Sequence, residues 1–218
     1  MNDKKSIIAL VMPSLDPGGS ERVISELANY FSQYNEIVVH LILFGKNPQI
    51  FYQINNNINI HKINSGFNNK FILIESLKRL RFIRKKINQI NPNTILSFGT
   101  RWNNFVLLSL CFKKYSIFIS DRGSPVRRYK FSTELLKSIL YPKARGIIVQ
   151  TKKAYEITLK RFPNANIKII GNPINNLIYN NICEREDIIL TVGRLISSKH
   201  HDRLIRIFSK LNASGWKL

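Results

Sequence analysis

Short apolar runs alternate with amphipathic segments along most of the chain. The apolar runs are rich in Ile and Val and do not alternate with polar residues, which indicates strands of a sheet covered on both faces. They occupy residues 7–12, 37–44, 94–98, 116–120, 146–150 and 168–170. Segments with helical spacing lie between them, at residues 21–34, 71–90, 103–112, 134–141 and 152–162. Right-handed crossovers between such strands predict an α/β fold with a Rossmann-like, doubly wound parallel sheet.

The pattern changes at the end of this region. Residues 174–187 are rich in Asn, follow no clear period and indicate a linker. A fresh apolar run at residues 188–192 precedes a loop and a helical segment at about residues 201–211. A tail of about thirty residues cannot bury a core of its own. It therefore either packs on the first domain or begins a second α/β unit.

Basic residues greatly outnumber acidic ones. The chain has 34 Lys and Arg against 13 Asp and Glu, a formal net charge of +21. This excess favours an anionic partner such as nucleic acid, a membrane surface or a phosphorylated substrate. An AT-rich coding sequence, which would enrich Asn, Ile and Lys, is a second explanation for part of the charge.

The cysteines and the length of the apolar runs bear on location. Cys111 and Cys183 show no paired spacing, which favours a reduced, cytoplasmic setting. Pro13 stops the first apolar run before it reaches the length of a signal-peptide core, and residues 105–112 are too few to span a bilayer. We expect a cytoplasmic protein, either soluble or peripheral on the inner face of the cytoplasmic membrane.

A glycine-containing turn follows the first apolar run. Gly18 and Gly19 permit a tight turn and close backbone approach, and Ser20 suits the N-cap of the next helix. Free N–H groups at such a helix start favour phosphate at the carboxyl edge of a parallel sheet. The third glycine of the dinucleotide-binding pattern is missing, and a simple strand-to-helix turn explains the spacing at least as well.

Two cations follow the apolar run of the tail. Arg194 and Lys199 stand five residues apart across a loop. A guanidinium can fork onto phosphate oxygens and an ammonium supplies a mobile point charge, so the pair suits a diphosphate. Two solvated loop cations are the alternative in so basic a chain.

Taken together, these segments resemble the family 4 glycosyltransferases of the GT-B fold over essentially the whole chain. Their order and spacing carry the resemblance, because each segment alone is weak. The segments are Pro17-Gly18-Gly19-Ser20-Glu21-Arg22-Val23, Ser120-Asp121-Arg122-Gly123-Ser124-Pro125, Val149-Gln150-Thr151, Gly171-Asn172-Pro173-Ile174 and Val192-Gly193-Arg194-Leu195 through Lys199, with Asp202, Leu204, Ile205 and Phe208 following.

The resemblance implies two Rossmann-like domains that face each other across a cleft. Residues 1–173 would be the N-terminal, acceptor-side domain and residues 174–187 the linker. Residues 188–218 would be the first strand, loop and helix of a truncated C-terminal domain that binds the nucleotide sugar. The resemblance also implies retention of anomeric configuration, no cofactor and no essential metal.

The same resemblance gives individual residues roles in the cleft. Arg194 and Lys199 would grip the donor diphosphate and stabilise the charge that develops on it as the glycosidic bond breaks. Gly18 and Gly19 would border the cleft near the donor phosphates and the acceptor. The acceptor-side candidates are Glu21, Arg22, Asp121 and Arg122, and an acceptor phosphate is the expected ligand of Arg122.

Parts of the family's pattern have no match in this chain. Two glutamates eight positions apart, which contact the transferred sugar and the ribose, are not found by Leu218, so we expect the 218-residue chain to be inactive alone. The acceptor-side histidine also has no clear counterpart, since His40 and His61 lie in or near early strands and are expected to be structural. We assign no metal site to His200 and His201, which are adjacent on a basic loop.

One predicted helix has an apolar and a basic face. The apolar positions, expected to face the core, are Leu73, Leu77, Leu80, Ile83, Ile87 and Ile90. The candidate membrane-surface cations are Lys78, Arg79, Arg81, Arg84, Lys85 and Lys86. Anionic lipid would attract this face, and a solvated helix face is the alternative. No nucleic-acid-binding module is recognisable nearby, so we expect no nucleic-acid partner.

The leading hypothesis is a glycosyltransferase that moves a hexosyl unit from a nucleotide-diphosphate sugar to a glycan or lipid-linked acceptor. Surface polysaccharide or glycolipid synthesis, including capsule and lipopolysaccharide, is the expected setting. The alternative is a non-catalytic acceptor- or membrane-binding half, either a split subunit that pairs with a second chain or the remnant of an interrupted gene. A nucleotide-sugar epimerase shares the two-domain architecture, but the arginine–lysine loop fits the transferase pattern better.

Overall fold

The structure is a computed structural model that describes residues 5–64, 66–174, 186–193, 195–211 and 214–218. It divides into two units, Met1–Ile174 and Asn175–Leu218. Among the described residues, no helix is both long enough and apolar enough to cross a bilayer.

The described part of the first unit contains one seven-stranded sheet. Its strands are β1 (Ser6–Met12), β2 (Ile37–Leu43), β3 (Asn59–Lys62), β4 (Thr94–Phe98), β5 (Ile117–Ser120), β6 (Gly146–Val149) and β7 (Ile167–Ile169). The order across the sheet is β3-β2-β1-β4-β5-β6-β7, and all neighbours are parallel. The strand order reverses direction at β1 and β4, as in doubly wound sheets, which confirms the predicted fold class.

Helices provide most of the crossovers between these strands. They are α1 (Gly19–Phe31), α2 (Ile72–Ile90), α3 (Thr100–Ser109), α4 (Phe131–Leu140) and α5 (Lys152–Arg161). Two capping arrangements fix the start of α5 and the end of α2. The Thr151 hydroxyl accepts from the N–H of Ala154 at the start of α5, and Asn91 ends α2 in the left-handed conformation.

The two faces of the sheet bury separate apolar clusters. Along β1, Ala9 and Val11 belong to one cluster, whereas Leu10 and Met12 belong to the other, and all four are at most 2% exposed. Helices α2 and α3 cover the first face and α1 covers the second, with the buried residues Ile83, Ile87, Val106, Leu107, Val23, Ile24 and Ala28. Burial on both faces explains why the strands are apolar at successive positions.

The sequence pattern missed one strand, β3. It begins at Asn59, in a segment rich in Asn, and it pairs with β2 at the edge of the sheet. Three of its four residues are exposed. An exposed edge strand needs no apolar run, so hydrophobic patterning could not identify it.

The second unit differs from the expected strand, loop and helix. The strand predicted at residues 188–192 is not formed: Ile188 makes an isolated bridge with Lys217, and Leu190 and Val192 are 81% and 87% exposed. A regular strand requires backbone partners along its length. The helix α6 spans His201–Phe208, which is shorter than predicted. Most of the expected linker, residues 175–185, lies outside the described residues.

Candidate functional site

The candidate site lies at the carboxyl edge of the sheet. Because β1, β4, β5 and β6 are neighbours, the segments that follow them meet at this edge, where open α/β sheets bind ligands. The glycine turn follows β1, Gly99 leads from β4 into α3, Asp121 and Arg122 follow β5, and Gln150 follows β6.

The glycine turn brings the start of α1 to this edge. Gly18 is the N-cap and α1 begins at Gly19, so the predicted N-cap, Ser20, is wrong because the backbone becomes helical before it. The Tyr52 hydroxyl lies 2.9 Å from the Gly18 nitrogen and 2.8 Å from its carbonyl oxygen, which holds the turn in place. The Glu21 carboxylate lies beside Gly18, whereas a Cβ on Gly19 would meet nothing within 4 Å. Gly19 therefore leaves room for a ligand to approach the helix start.

Arg122 is a half-buried cation at the same edge. Its guanidinium lies 4.5 Å over the Phe98 ring, Nε donates to Ser120 Oγ at 2.9 Å, and Nη1 donates to Asn172 Oδ1. Burial lowers its pKa, but an arginine remains charged in proteins. Among the described residues, no carboxylate forms an ion pair with Arg122. Such a cation is suited to an anionic ligand.

Other motif residues contact the segment after β7 to which Arg122 is bonded. Gln150 Nε2 donates to the same Asn172 Oδ1 at 2.6 Å, and Arg22 Nη2 donates to the Pro173 carbonyl oxygen at 3.2 Å. Asn172 and Pro173 are consecutive, so both arginines approach one short segment after β7. The sequence analysis predicts no role for Gln150 or Asn172. The signal that could have found them is that both lie in segments that carry the family resemblance.

Asp121 is engaged within the chain. Its Oδ1 accepts from Thr100 at 3.1 Å, Asn103 at 3.1 Å and Tyr141 at 2.7 Å, and its Oδ2 lies 2.8 Å from Lys137 Nζ. Burial and the nearby Asp121 charge raise the pKa of Tyr141 well above its usual value. Asp121 therefore fixes the end of β5 against α3 and α4, and its predicted contact with the acceptor stays a prediction.

A cavity of about 480 Å³ adjoins Asp121, α4 and α5. The pairs Lys137–Asp121 and Arg161–Glu134 lie in its wall, and the exposed Arg127 stacks 5.3 Å from the Tyr129 ring. Sequence reasoning missed this cavity because its walls come from three separate segments.

The basic helix, α2, departs from the prediction at Arg79. This residue is 4% exposed, and its Nη1 lies 2.8 Å from Oε2 of the equally buried Glu75. Because it is buried, Arg79 is not a membrane-surface cation. The Glu75 carboxylate compensates the charge of its guanidinium. A hydrogen bond from Lys78 is the main cause that lowers the pKa of Glu75. Of the other candidates, Lys78, Arg81, Arg84 and Lys85 are exposed and Lys86 is half-buried.

The start of α2 exposes apolar residues that we had expected in the core. Leu73 and Leu77 are 85% and 45% exposed, whereas Ile83 and Ile87 are buried as predicted. Five exposed residues form what we call the α2 patch: Phe71, Ile72, Leu73, Ile74 and Leu77. The amphipathic pattern thus continues beyond the part of α2 that packs on the sheet.

The predicted donor-side pair is not seen together. Arg194 lies outside the described residues, and Lys199 is exposed at the end of a 3₁₀ turn, Ser197–Lys199, in the second unit. Their role stays a prediction.

The histidines expected to be structural lie away from the motif segments. His40 and His61 stack on neighbouring strands, with His40 Nδ1 and His61 Nε2 2.9 Å apart, and burial lowers the pKa of both. Within the described ranges, no three His, Cys, Asp or Glu side chains gather to hold a metal.

Comparison with known proteins gives the following relatives. No family model matches the chain. It is 25% identical over 220 residues to the amylovoran biosynthesis glycosyltransferase AmsD of Erwinia amylovora, covering 97% of this chain and 60% of that protein. A second relative is the N-acetylgalactosamine-N,N'-diacetylbacillosaminyl-diphospho-undecaprenol 4-alpha-N-acetylgalactosaminyltransferase of Campylobacter jejuni. The two are 29% identical over 222 residues, which cover 94% of this chain and 59% of that protein. The chain thus spans about three-fifths of these relatives' length.

Two solved structures share the fold. The lipopolysaccharide outer core galactosyltransferase WaaB, in its apo form, matches 98% of this chain and 59% of its own, with a TM-score of 0.64 and 15% identity. Sucrose-phosphate synthase from Thermosynechococcus elongatus matches 95% of this chain and 60% of its own, with a TM-score of 0.71 and 13% identity. The chain has the Rossmann-like α/β fold of GT-B glycosyltransferases, and the resemblance to glycosyltransferases is confirmed.

Proposed function

We propose that the chain provides the acceptor-binding part of a glycosyltransferase. It would serve the transfer of a hexosyl unit from a nucleotide-diphosphate sugar to a lipid-linked glycan, with retention of configuration, in surface polysaccharide or glycolipid synthesis. The names of the two curated relatives support this setting, since one acts in amylovoran biosynthesis and the other on a diphospho-undecaprenol compound. We further propose that the reaction needs no metal.

The observation that carries this proposal is the environment of Arg122. A guanidinium held by Ser120 and Phe98, without a carboxylate partner among the described residues, presents a fixed positive charge at the ligand-binding edge. Phosphate oxygens match the fork of a guanidinium. The start of α1 adds free N–H groups beside the open space at Gly19. We propose that Arg122 and the start of α1 together bind the diphosphate of the acceptor.

The donor side of the proposal rests on Arg194 and Lys199. Fixed cations stabilise a leaving diphosphate more than the bound donor, because negative charge grows on it as the glycosidic bond breaks. We propose that these cations act with a nucleotide-binding domain absent from residues 1–218, supplied by a second chain or by further sequence. The isolated chain should therefore bind acceptor phosphate without transferring sugar.

Substitution of Arg122 tests the proposal. We expect Arg122→Met to weaken binding of inorganic pyrophosphate to the 218-residue chain at least tenfold, measured by calorimetry in the presence of EDTA. Arg145→Met is the matched control, since Arg145 is an exposed arginine directly before β6, at the opposite edge of the sheet. Equal affinities for the native chain and Arg122→Met would contradict the assignment. The same preparations, incubated with radiolabelled nucleotide sugars and a lipid-linked acceptor, should give no product above a protein-free blank.

The α2 patch and the cations that follow it support peripheral attachment to an anionic membrane. Exposed apolar side chains are followed along one helix by Arg81, Arg84 and Lys85, as in helices that lie at a bilayer surface. A lipid-linked acceptor resides at that surface, so attachment would bring the site and its substrate together.

A further inference from the structure

A second, smaller cavity opens between the start of α2 and the start of α3. It has a volume of about 170 Å³, and its walls include the aromatic rings of Phe44, Phe67, Trp102 and Phe105. The Phe44 ring stacks on Phe105 with centroids 5.4 Å apart and meets the edge of Trp102 at 5.7 Å. The larger cavity beside α4 and α5 has a different lining.

Cations surround this aromatic cavity. Lys46 Nζ lies 4.4 Å from the Phe67 ring centroid, and the Arg101 guanidinium lies 5.1 Å from that of Trp102. Both cations are exposed, and no carboxylate among the described residues pairs with either. The rim is therefore electropositive, and the interior combines aromatic rings with the buried Arg79, whose charge is paired with Glu75.

The cavity is continuous with the α2 patch. Ile72 lines the cavity and is also a member of the patch, where it is 57% exposed. Leu73 and Ile74 follow it on the surface, at 85% and 54% exposure. An apolar ligand that enters the cavity can therefore continue along the exposed start of α2.

We propose that this cavity binds the phosphate-proximal part of the isoprenoid chain of an anionic lipid carrier, an inference that rests on the proposed function. An apolar cavity of about 150 Å³ is known to accept benzene, so 170 Å³ accommodates a group of isoprenyl size. The positive charge of Lys46 and Arg101 at the rim attracts an anionic carrier whose diphosphate is bound at Arg122, and the α2 patch matches the remaining chain. A sugar ring fits less well, because the described lining offers two uncharged polar groups, the Ser76 hydroxyl and the Trp102 indole N–H, and the several hydroxyl groups of a hexose need more hydrogen-bond partners.

Geranyl diphosphate and inorganic pyrophosphate are the probes that test this assignment on the 218-residue chain. We expect geranyl diphosphate to bind at least tenfold more tightly than pyrophosphate, because it adds burial of apolar surface to the same charge. Ser76→Leu, which fills the cavity without removing a core contact, should reduce the affinity for geranyl diphosphate at least tenfold and leave that for pyrophosphate unchanged. Gln89→Leu is the matched control, since Gln89 is exposed near the end of the same helix.

The outcomes separate this inference from the proposed function. Equal binding of the two probes, or unchanged binding of geranyl diphosphate by Ser76→Leu, would overturn the isoprenoid site while leaving the role of Arg122 intact. Competition between a soluble methyl hexoside and geranyl diphosphate that Ser76→Leu abolishes would assign the cavity to a sugar instead. Loss of the Arg122 effect on pyrophosphate, with selective geranyl diphosphate binding retained, would contradict the proposed function alone.

Discussion

Two consecutive residues at the end of β5 have opposite charges and different surroundings. The Asp121 carboxylate accepts from three neutral donors and faces Lys137, so its negative charge is compensated within the chain. Within the described part of the chain, the partners of the Arg122 guanidinium are neutral, namely Ser120, Asn172 and the Phe98 ring. The first residue therefore fixes the strand end, and the second leaves positive charge available at the edge of the sheet.

Substitution of Asp121 should affect stability more than ligand chemistry. In Asp121→Asn the amide would direct N–H groups at the Tyr141 hydroxyl or the Lys137 ammonium, leaving a buried donor without an acceptor. We expect the free energy of unfolding to fall by about 2 kcal/mol, measured by urea denaturation at pH 7. Asp16→Asn is the control, since Asp16 is exposed and accepts from Ser14, and a change within about 0.5 kcal/mol is expected. Equal effects of both substitutions would contradict the positioning role of Asp121.

The sequence identified the residue types of the site better than their environments. The motif segments placed Arg122 at the correct edge, because the strand preceding it was clear from its apolar run. Engagement of Asp121 could not be foreseen, since Thr100, Asn103 and Tyr141 come from distant segments. Burial of Arg79 was missed for a related reason: spacing from Glu75 shows that a pair can form, but not whether the pair faces solvent.

At the scale of elements, patterning succeeded where each element packs on the sheet. The apolar runs gave β1, β2 and β4 to β7 within one residue or two. Both faces are covered along the central strands such as β1, whereas the edge strand β7 buries only Ile167 of its three residues. Patterning failed for β3, which is an exposed edge strand, and at residues 188–192, where the described residues supply one bridge in place of a neighbouring strand. An apolar run thus forms a strand only where a neighbouring strand is available to pair with its backbone.

Helix α2 shows how one pattern can serve two surfaces. Its second half buries Ile83 and Ile87, whereas its first half exposes Leu73 and Ile74.

We expect the native chain to sediment with anionic vesicles and to bind neutral vesicles more weakly, since both apolar burial and charge contribute. Leu73→Ser combined with Ile74→Ser should reduce the bound fraction at least fivefold. Phe112→Ser is the control, because Phe112 is 92% exposed beyond the end of α3. Equal binding of the native chain to neutral and anionic vesicles would remove the membrane proposal.

At the scale of the whole molecule, the two units differ in how well they bury their apolar residues. The first unit encloses two clusters around its sheet, whereas Leu190, Val192 and Leu195 of the second unit are 81%, 87% and 91% exposed. Exposed apolar side chains of this kind mark surfaces that associate with other protein. These described apolar side chains therefore contribute little buried area to the stability of the second unit.

Hydrogen exchange should reveal this difference directly. Opening of a segment with few buried apolar contacts costs less free energy than opening of a core strand, so its amides exchange faster. We expect amides at residues 188–193 and in α6 to exchange at least a hundredfold faster than those of β1 and β4, measured by NMR or mass spectrometry on the 218-residue chain. The edge strand β3 is an internal control of intermediate protection, because it pairs with β2 on one side. Equal protection in α6 and β1 would mean that the second unit opens only with the first, and its exposed leucines and valine would then need no additional partner for stability.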